Sequence, residues 1–289
     1  MPGTITAGLD GTDHALAAAD WAADEAARRG ASVRLVHAWN WGPTDVAYVG
    51  DRAAEERWAR NVLDEAQARI SQRHPALEVT TELLVGDPVP ALLTEASQAE
   101  TLVLGSRGYG TLTGHLIGSV SLHVLRQATG PVVMVRTPRA STRREEAGEV
   151  VVGVQEPGRG DEPVLEFAFT AAAERGVPLR AVYAWSIPAS LAWSPGSLYL
   201  ADQSGDLERI NREVLADLLQ PWRHKYPQVE VIEHFEIGSA SEVLLHGSDR
   251  ADLVVVGRRI REGGLRRLGP VAHAVLHHAA APVAIVPHD

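Results

Sequence analysis

The sequence predicts an α/β protein whose strands form mostly parallel sheets with helices on both faces. Short apolar segments alternate with longer segments of helical periodicity along all 289 residues. Such alternation requires crossover connections between parallel strands. The same order of segments occurs twice, at an offset of about 145 to 152 residues. Because a chain of this length is expected to form about two domains, we interpret the repeat as an internal duplication.

The first repeat begins with an apolar strand, Ile5 to Leu9, and a helix that Gly30 ends. Apolar residues recur at helical spacing between Arg52 and Arg73, which predicts a second long helix there. Short apolar runs bounded by glycine or proline predict the other strands. The predicted strands are 5–9, 33–38, 78–85, 102–104 and 132–135, and the predicted helices are 14–29, 52–73, 89–99 and 120–128.

The second repeat contains matching apolar runs. They are Val150 to Val154, Leu179 to Trp185, Phe235 to Gly238, Leu253 to Gly257 and Ala281 to Val286. Between the repeats, residues 138–148 are polar, charged and non-periodic. We therefore predict domains at residues 1–138 and 149–289, joined by a linker at 139–148.

The composition excludes several classes of protein. The net charge of −10 argues against a general nucleic-acid-binding or anionic-membrane-binding surface. The absence of cysteine excludes disulfides, thiolate catalysis and cysteine metal sites. The first residues lack the features of a signal peptide, and no apolar run approaches the ~20 residues of a membrane helix. We expect a cytoplasmic protein that binds neither nucleic acid nor membrane.

The stretch from Thr101 to Val135 has the order that a phosphate site needs. A buried strand is followed by a glycine-rich loop, Gly118-Ser119 and a helix. Glycine lets backbone N–H groups approach an anion, and a helix start adds unpaired donors and a positive dipole end. The glycines Gly105, Gly108 and Gly118 fit the spacing G-x2-G-x9-G-[ST], which ends here at Ser119.

This spacing resembles the ATP-binding signature of the universal stress protein family, and the repeated segments extend the resemblance to nearly the whole chain. The resemblance implies two tandem Rossmann-like domains, each with a five-stranded sheet and a nucleotide site at the carboxyl ends of the strands. It also implies an ATP-binding stress-response regulator, with a divalent metal such as Mg²⁺ accompanying the phosphates. The expected protein partners are unidentified.

The family pattern implies the positions that hold ATP in the first domain. Asp10 would accept hydrogen bonds from ribose hydroxyls, although it also suits a helix N-cap. Arg107 would face either phosphate or solvent, and Ser119 as a covalent nucleophile lacks an identifiable base. The full set of expected ATP-binding residues is Gly8, Leu9, Asp10, Ala38, Leu104, Gly105, Ser106, Arg107, Gly108, Gly118, Ser119, Val120 and Ser121.

The second domain departs from this pattern at three positions. Gln155 replaces the aspartate, Ile260 replaces a loop glycine, and Gly269-Pro270 replaces Gly118-Ser119. Because proline has no N–H donor and no hydroxyl, we expect that the second domain has lost this mode of nucleotide binding. Its loop carries five arginines, which form either a solvated basic surface or a site for another anion or an acidic partner. These are Arg258, Arg259, Arg261, Arg266 and Arg267.

Other chemistry receives little support from the sequence. There is no P-loop, zinc-protease or serine-hydrolase motif. His273 and His277 share a predicted helix face but have no acidic neighbour in sequence, so we expect no metal site. Two alternatives to a regulator stay open, namely an ATP-hydrolysing or nucleotidyl-transferring enzyme and an interaction scaffold with a structural nucleotide.

The last strand of each repeat also leads to an expectation about assembly. By the family's strand order, Val132 to Val135 and Val283 to Val286 each lie at a sheet edge, where unpaired backbone groups invite pairing. We expect the two domains to pair with each other through these strands. Further homodimerisation would then use other surfaces.

Overall fold

The computed structural model describes residues 3–39, 52–106, 117–137, 148–155, 160–185, 204–248, 250–260 and 267–289. The chain divides into two compact units, Met1–Arg143 and Arg144–Asp289. Most of the predicted linker, residues 139–147, lies outside the described residues. None of the described helices is long and apolar enough to span a membrane.

The first unit alternates strands and helices throughout its described part. Its strands are β1 (Thr4–Leu9), β2 (Ser32–Trp39), β3 (Val79–Val85), β4 (Thr101–Ser106) and β5 (Val132–Arg136). Its helices are α1 (Asp13–Arg29), α2 (Arg52–Arg73), α3 (Pro88–Gln98) and α4 (Ser119–Gln127). The strand order is β3-β2-β1-β4-β5, and the paired strands are parallel.

Helices cover both faces of this sheet. Helices α1 and α2 pack on each other and on the sheet, and α3 and α4 do the same as a second pair. The alternation of side chains along β4 separates the two faces. The side chain of Leu104 approaches Gly8 on the side of α3, whereas Gly105 faces the backbone of α1.

The second unit repeats this arrangement. Its strands are β6 (Glu149–Val154), β7 (Leu179–Trp185), β8 (Val231–Ile237), β9 (Ala251–Arg259) and β10 (Val283–His288). Its helices are α5 (Glu162–Arg175), α6 (Ser204–Lys225), α7 (Ala240–Gly247) and α8 (Pro270–His278). The strand order is β10-β9-β6-β7-β8, again with parallel pairs.

The predicted fold class is confirmed, and most element boundaries in the first unit lie within a residue of the predicted ones. The clearest difference is β4, which continues through Gly105 and Ser106. The predicted strand ended at Leu104, and the family resemblance implied that Gly105 and Ser106 belong to a loop on the phosphate side. The strand includes them because both pair with the neighbouring strand β5, at Val135 and Arg136.

A stripe of alanines brings α1 close to the sheet. The buried residues of α1 are mostly alanine, and their small side chains allow a short helix-to-sheet distance. At Gly105 the approach is so close that a Cβ atom would lie 2.5 Å from the carbonyl oxygen of His14 and 2.8 Å from the backbone nitrogen of Ala15. Glycine is therefore required at this position by packing.

We predict that Gly105→Ala destabilises the protein, because the added methyl group meets helix backbone that cannot rotate away. Overpacking of this kind typically costs about 1–3 kcal/mol. Urea unfolding followed by circular dichroism measures the loss. Gly118→Ala is the comparison, since among the described residues a Cβ atom there has no neighbour nearer than the Ser121 Oγ at 4.0 Å, and the variant loses only the preference for glycine at the N-cap, about 1 kcal/mol or less. Equal stability of the two variants would contradict the packing argument.

Candidate functional site

The expected site residues gather at the carboxyl ends of β1, β2 and β4 in the first unit. The register places Gly8 beside Leu104 and Leu9 beside His37, so that these three strands end near one another. Ala38 lies one residue beyond the last β1–β2 pair. Ligands of open α/β sheets bind at this edge of the sheet.

Asp10 is held in position by a residue of the following helix start. The backbone N–H and the hydroxyl of Thr12 both donate to Asp10 Oδ1, at 3.1 and 2.6 Å. Thr12, not Asp10, is the N-cap of α1, because its Oγ1 accepts from the N–H of Ala15. The alternative role of Asp10 as the cap is therefore wrong, and its exposed carboxylate is a preoriented acceptor at the end of β1.

Gly11, His37 and Trp58 lie around the end of β1, and none of them was predicted from the sequence as a site residue. Gly11 has a positive φ of 78°, and a Cβ atom there would meet the Trp58 ring at 2.9 Å. His37 is buried and its Nδ1 lies 2.8 Å from the carbonyl oxygen of Leu9. Since a carbonyl only accepts, Nδ1 carries the proton. The Trp58 ring packs edge-on against His37, with centroids 5.5 Å apart.

The residues at the end of β4 contact the neighbouring strands β1 and β5. A Cβ atom at Gly8 would lie 2.7 Å from Leu104 Cδ2, so glycine in β1 makes room for Leu104. The hydroxyl of Ser106 is buried and donates to the carbonyl oxygen of Val135 at 3.3 Å. This hydroxyl thus fixes β4 to β5. Arg107 and Gly108 lie outside the described residues.

Helix α4 begins at the remaining expected residues. Gly118 is its N-cap and provides no side-chain capping bond, and the N–H of Leu122 donates to the Gly118 carbonyl oxygen. The N–H groups of Ser119, Val120 and Ser121 therefore have no partner within the helix. Three donors and the positive end of the helix dipole together form a start that suits an anion.

The equivalent helix of the second unit starts differently. Helix α8 has Gly269 as its N-cap and Pro270 at its first position, which leaves only the N–H groups of Val271 and Ala272 as donors. At the end of β6, Gln155 occupies the position of Asp10. Its backbone N–H donates to Asp161 Oδ2 at 3.0 Å.

His273 and His277 do share a helix face, with ring centroids 4.4 Å apart.

The comparison with known proteins identifies the family. The model of the universal stress protein family matches the chain twice, at residues 1–136 and 147–287. The chain belongs to the universal stress protein family. Universal stress protein Rv2005c of Mycobacterium tuberculosis is 34% identical over 298 residues, covering 97% of this chain and 96% of the relative. Universal stress protein Rv1996 of the same organism is 33% identical over 310 residues, covering 99% and 96%.

A solved structure shares the fold of the whole chain. A universal stress protein from Archaeoglobus fulgidus matches with a TM-score of 0.69, covering 99% of this chain and 98% of that one. The identity is 18%, so this similarity concerns the fold alone. This structure and the two relatives thus align with both units of the chain over nearly their full length.

We predict that Thr12→Val lowers the free energy of unfolding by about 1 kcal/mol, the usual cost of losing an N-cap. The substitution keeps the shape of the side chain but removes the hydroxyl that accepts from Ala15 and donates to Asp10. Thr12→Ser retains the hydroxyl and serves as the control. Thermal unfolding of the three proteins measures the difference, and a Thr12→Val protein as stable as the wild type would contradict this assignment of the cap.

Proposed function

We propose that the first unit binds ATP and that the protein acts as a nucleotide-responsive regulator of the stress response. The observation that carries the proposal is the start of α4. Gly118 has a φ of −57°, which any residue adopts, and among the described residues a Cβ atom there would have no neighbour nearer than the Ser121 Oγ at 4.0 Å. Backbone conformation and packing against the described residues therefore do not require glycine, although glycine is a better N-cap than alanine or valine. Close approach of a ligand to the helix start is a further reason for glycine at this position.

The proposed roles of the residues follow from their positions. The N–H groups of Ser119, Val120 and Ser121 receive the phosphates, and the family pattern assigns Arg107 and Gly108 to the same phosphate loop. The backbone N–H and C=O groups of Ala38, at the end of β2, form hydrogen bonds with the adenine edge. Mg²⁺, when bound with the nucleotide, neutralises phosphate charge and takes oxygen ligands.

Asp10 is the proposed ribose ligand. Thr12 occupies Oδ1 of its carboxylate through two hydrogen bonds, and the acceptor capacity of the second oxygen serves the ribose hydroxyls. Because the carboxylate is already oriented, binding costs little side-chain entropy. Gly8, Leu9, Leu104, Gly105 and Ser106 shape the floor of the site at the ends of β1 and β4.

A regulatory role follows from the linkage between binding and conformation. A ligand that binds only the folded state stabilises it by about 2.7 kcal/mol at a concentration one hundred times its dissociation constant. ATP bound between the carboxyl ends of β1 and β2 and the start of α4 would thus stabilise these segments together. A protein partner that recognises them would respond to ATP. Steady multiple turnover of ATP by the purified protein would instead support the enzyme alternative.

We predict one ATP site per chain. The first unit has an aspartate at the end of β1 and three helix donors, whereas the second unit has Gln155 and Pro270 at the corresponding positions. Isothermal titration calorimetry of the full chain with ATP and Mg²⁺ should give a stoichiometry of about one. Two equivalent sites would show that the second unit retains the nucleotide mode.

We also predict that Gly118→Val abolishes ATP binding and leaves the fold intact. The branched side chain would cover the helix start, but it has room beside the described residues, of which only Ser121 comes within 4.0 Å of its Cβ, through Oγ. The matched control is Gly269→Val, which places the same side chain at the start of α8, where no described residue lies within 4 Å of the Cβ. This control should retain ATP binding.

Calorimetry measures the ATP affinity of both variants, and circular dichroism shows whether each is folded. Both variants replace an N-cap glycine by valine, so the loss of capping preference is common to them. Unchanged ATP affinity in Gly118→Val would mean that the glycine spacing is unrelated to nucleotide binding.

A further inference from the structure

The second unit contains a cavity, here called the second cleft, at the position that corresponds to the proposed ATP site of the first. Its volume is about 520 Å³, within the range of small-molecule sites. It lies at the carboxyl ends of β6, β7 and β9, and Gly269, Pro270 and Val271 line it at the start of α8. The cavity therefore occupies the edge of the sheet at which α/β proteins bind ligands.

The charged groups around the second cleft do not by themselves call for a charged ligand. Arg258 is only 4% exposed, and it takes part in an interaction within the protein. The Nη2 atom of Arg259 lies 3.4 Å from Gln155 Oε1, while the buried carboxylate of Asp161 accepts from the Gln155 N–H. Arg267 is exposed, so water solvates its guanidinium group. Groups of both signs therefore flank the cleft, and the protein or water already solvates them.

These positions bear on the two alternatives for the basic loop. Arg258 is not part of a solvated surface, because it is buried, whereas Arg267 is exposed. Arg261 and Arg266 lie outside the described residues. The choice of ligand therefore depends on the uncharged groups that line the cleft.

The carbonyl group of Ala184 is the first of these uncharged groups. Successive carbonyl groups of a strand point to opposite neighbours. The Trp185 carbonyl oxygen accepts from Gly238, which follows β8, so the Ala184 carbonyl group points to the β6 side. Ala184 lies one residue beyond the last β6–β7 pair, Val154 with Tyr183, and it lines the cleft. Its carbonyl oxygen is therefore an acceptor at a place where β6 has already ended.

The side-chain amide of Gln155 is the second uncharged group. Because a guanidinium group only donates, the amide oxygen faces Arg259 and the NH2 group points away from it. Gln155 is half-buried and lines the cleft, and its NH2 group has no hydrogen-bond partner among the described residues. Gln155 and Ala184 directly follow the paired residues Val154 and Tyr183. A donor and an acceptor thus lie side by side at the ends of neighbouring strands.

The rest of the described lining is largely apolar. It includes Val154, Val182, Leu244, Val256, Leu268 and Val271. The helix start offers less to a phosphate than the start of α4, because Pro270 has neither an N–H donor nor a hydroxyl. Apolar walls with a few uncharged polar groups suit a ring system that carries its own hydrogen-bonding edge.

We propose that the second cleft binds an uncharged heterocycle that carries an amino group next to a ring nitrogen, as the base of adenosine does. The amino group donates to the carbonyl oxygen of Ala184, and the ring nitrogen accepts from the NH2 group of Gln155. The apolar walls contact the faces of the ring. Phosphate groups add no affinity, so the second cleft recognises a nucleoside and not a nucleotide. The proposal does not rest on ATP binding by the first unit.

The experiment uses the full chain and three probes, namely adenosine, inosine and ATP. Inosine has the size of adenosine but carries an oxygen in place of the amino group and an N–H in place of the ring acceptor. Both hydrogen bonds would be lost, so adenosine should bind at least about tenfold more tightly than inosine. Chemical-shift changes at the backbone amides of Gly153, Gly257 and Gly269 report binding in the cleft. ATP should bind there no more tightly than adenosine.

Two variants test the roles of the polar groups. Gln155→Glu keeps the size of the side chain and an oxygen for Arg259 but removes the NH2 donor, and it should weaken adenosine at least about tenfold. The matched control Gln228→Glu makes the same change at an exposed residue that is not among the described lining residues, and it should bind adenosine as the wild type does. Pro270→Ser returns an N–H and a hydroxyl to the helix start. It should leave adenosine unchanged and raise the ATP affinity of the cleft at least about threefold.

Four results would overturn the proposal. They are no binding of adenosine at these amides, equal binding of adenosine and inosine, unchanged adenosine affinity in Gln155→Glu, and tighter binding of ATP than of adenosine by the wild type. The last would make the second cleft a nucleotide site. A failure of ATP to bind the first unit would refute the proposed function alone, because the reporting amides all belong to the second unit.

Discussion

The close contact between helix α1 and strand β4 determines the geometry of the first site. At Gly105 the strand passes so near the helix backbone that no side chain fits. This contact fixes the start of α1, where Thr12 orients Asp10, against the end of β4. Since a parallel sheet brings its carboxyl ends to one edge, the same contact places the acceptor that follows β1 near the end of β4. A rigid contact of backbone with backbone thus supports the edge of the sheet at which we propose the nucleotide site.

The glycines at this edge of each sheet are glycine for different physical reasons. Gly105 is required by packing against α1, and Gly8 makes room for Leu104. Gly118 has an ordinary backbone conformation and no close packing neighbour among the described residues, and its position at the N-cap of α4 favours glycine over alanine. In the second unit, Gly257 corresponds to Gly105, but a Cβ atom there would meet the His288 ring at 2.8 Å. A spacing pattern cannot distinguish the roles of these glycines, whereas their surroundings in the fold can.

The sequence could predict the helices and strands, but not the surroundings of individual residues. The alternation of apolar and helical segments, together with the repeat, was sufficient for the α/β class and for most elements. The end of β4 was missed because Gly105 and Ser106 have turn propensity, and pairing with β5 overrides it. The orientation of Asp10 by Thr12 was also missed, since both residues suit an N-cap and only three-dimensional geometry shows which one accepts from Ala15. The burial of Arg258 could not be read from a run of arginines, because it depends on which face of β9 lines the cavity.

The arginines of the second cleft also show why net charge alone is a poor guide to ligands. The chain carries a net charge of −10, which at long range repels anions. At physiological salt, however, charges more than about 8 Å apart are largely screened. The charges that act on a ligand in the cavity of the second unit are therefore those of nearby lining residues such as Arg259 and Arg267, and not those of carboxylates elsewhere on the surface. The exchange of an aspartate for glutamine and of a serine for arginine thus alters the side-chain charges at this edge of the sheet without altering the strands that form it.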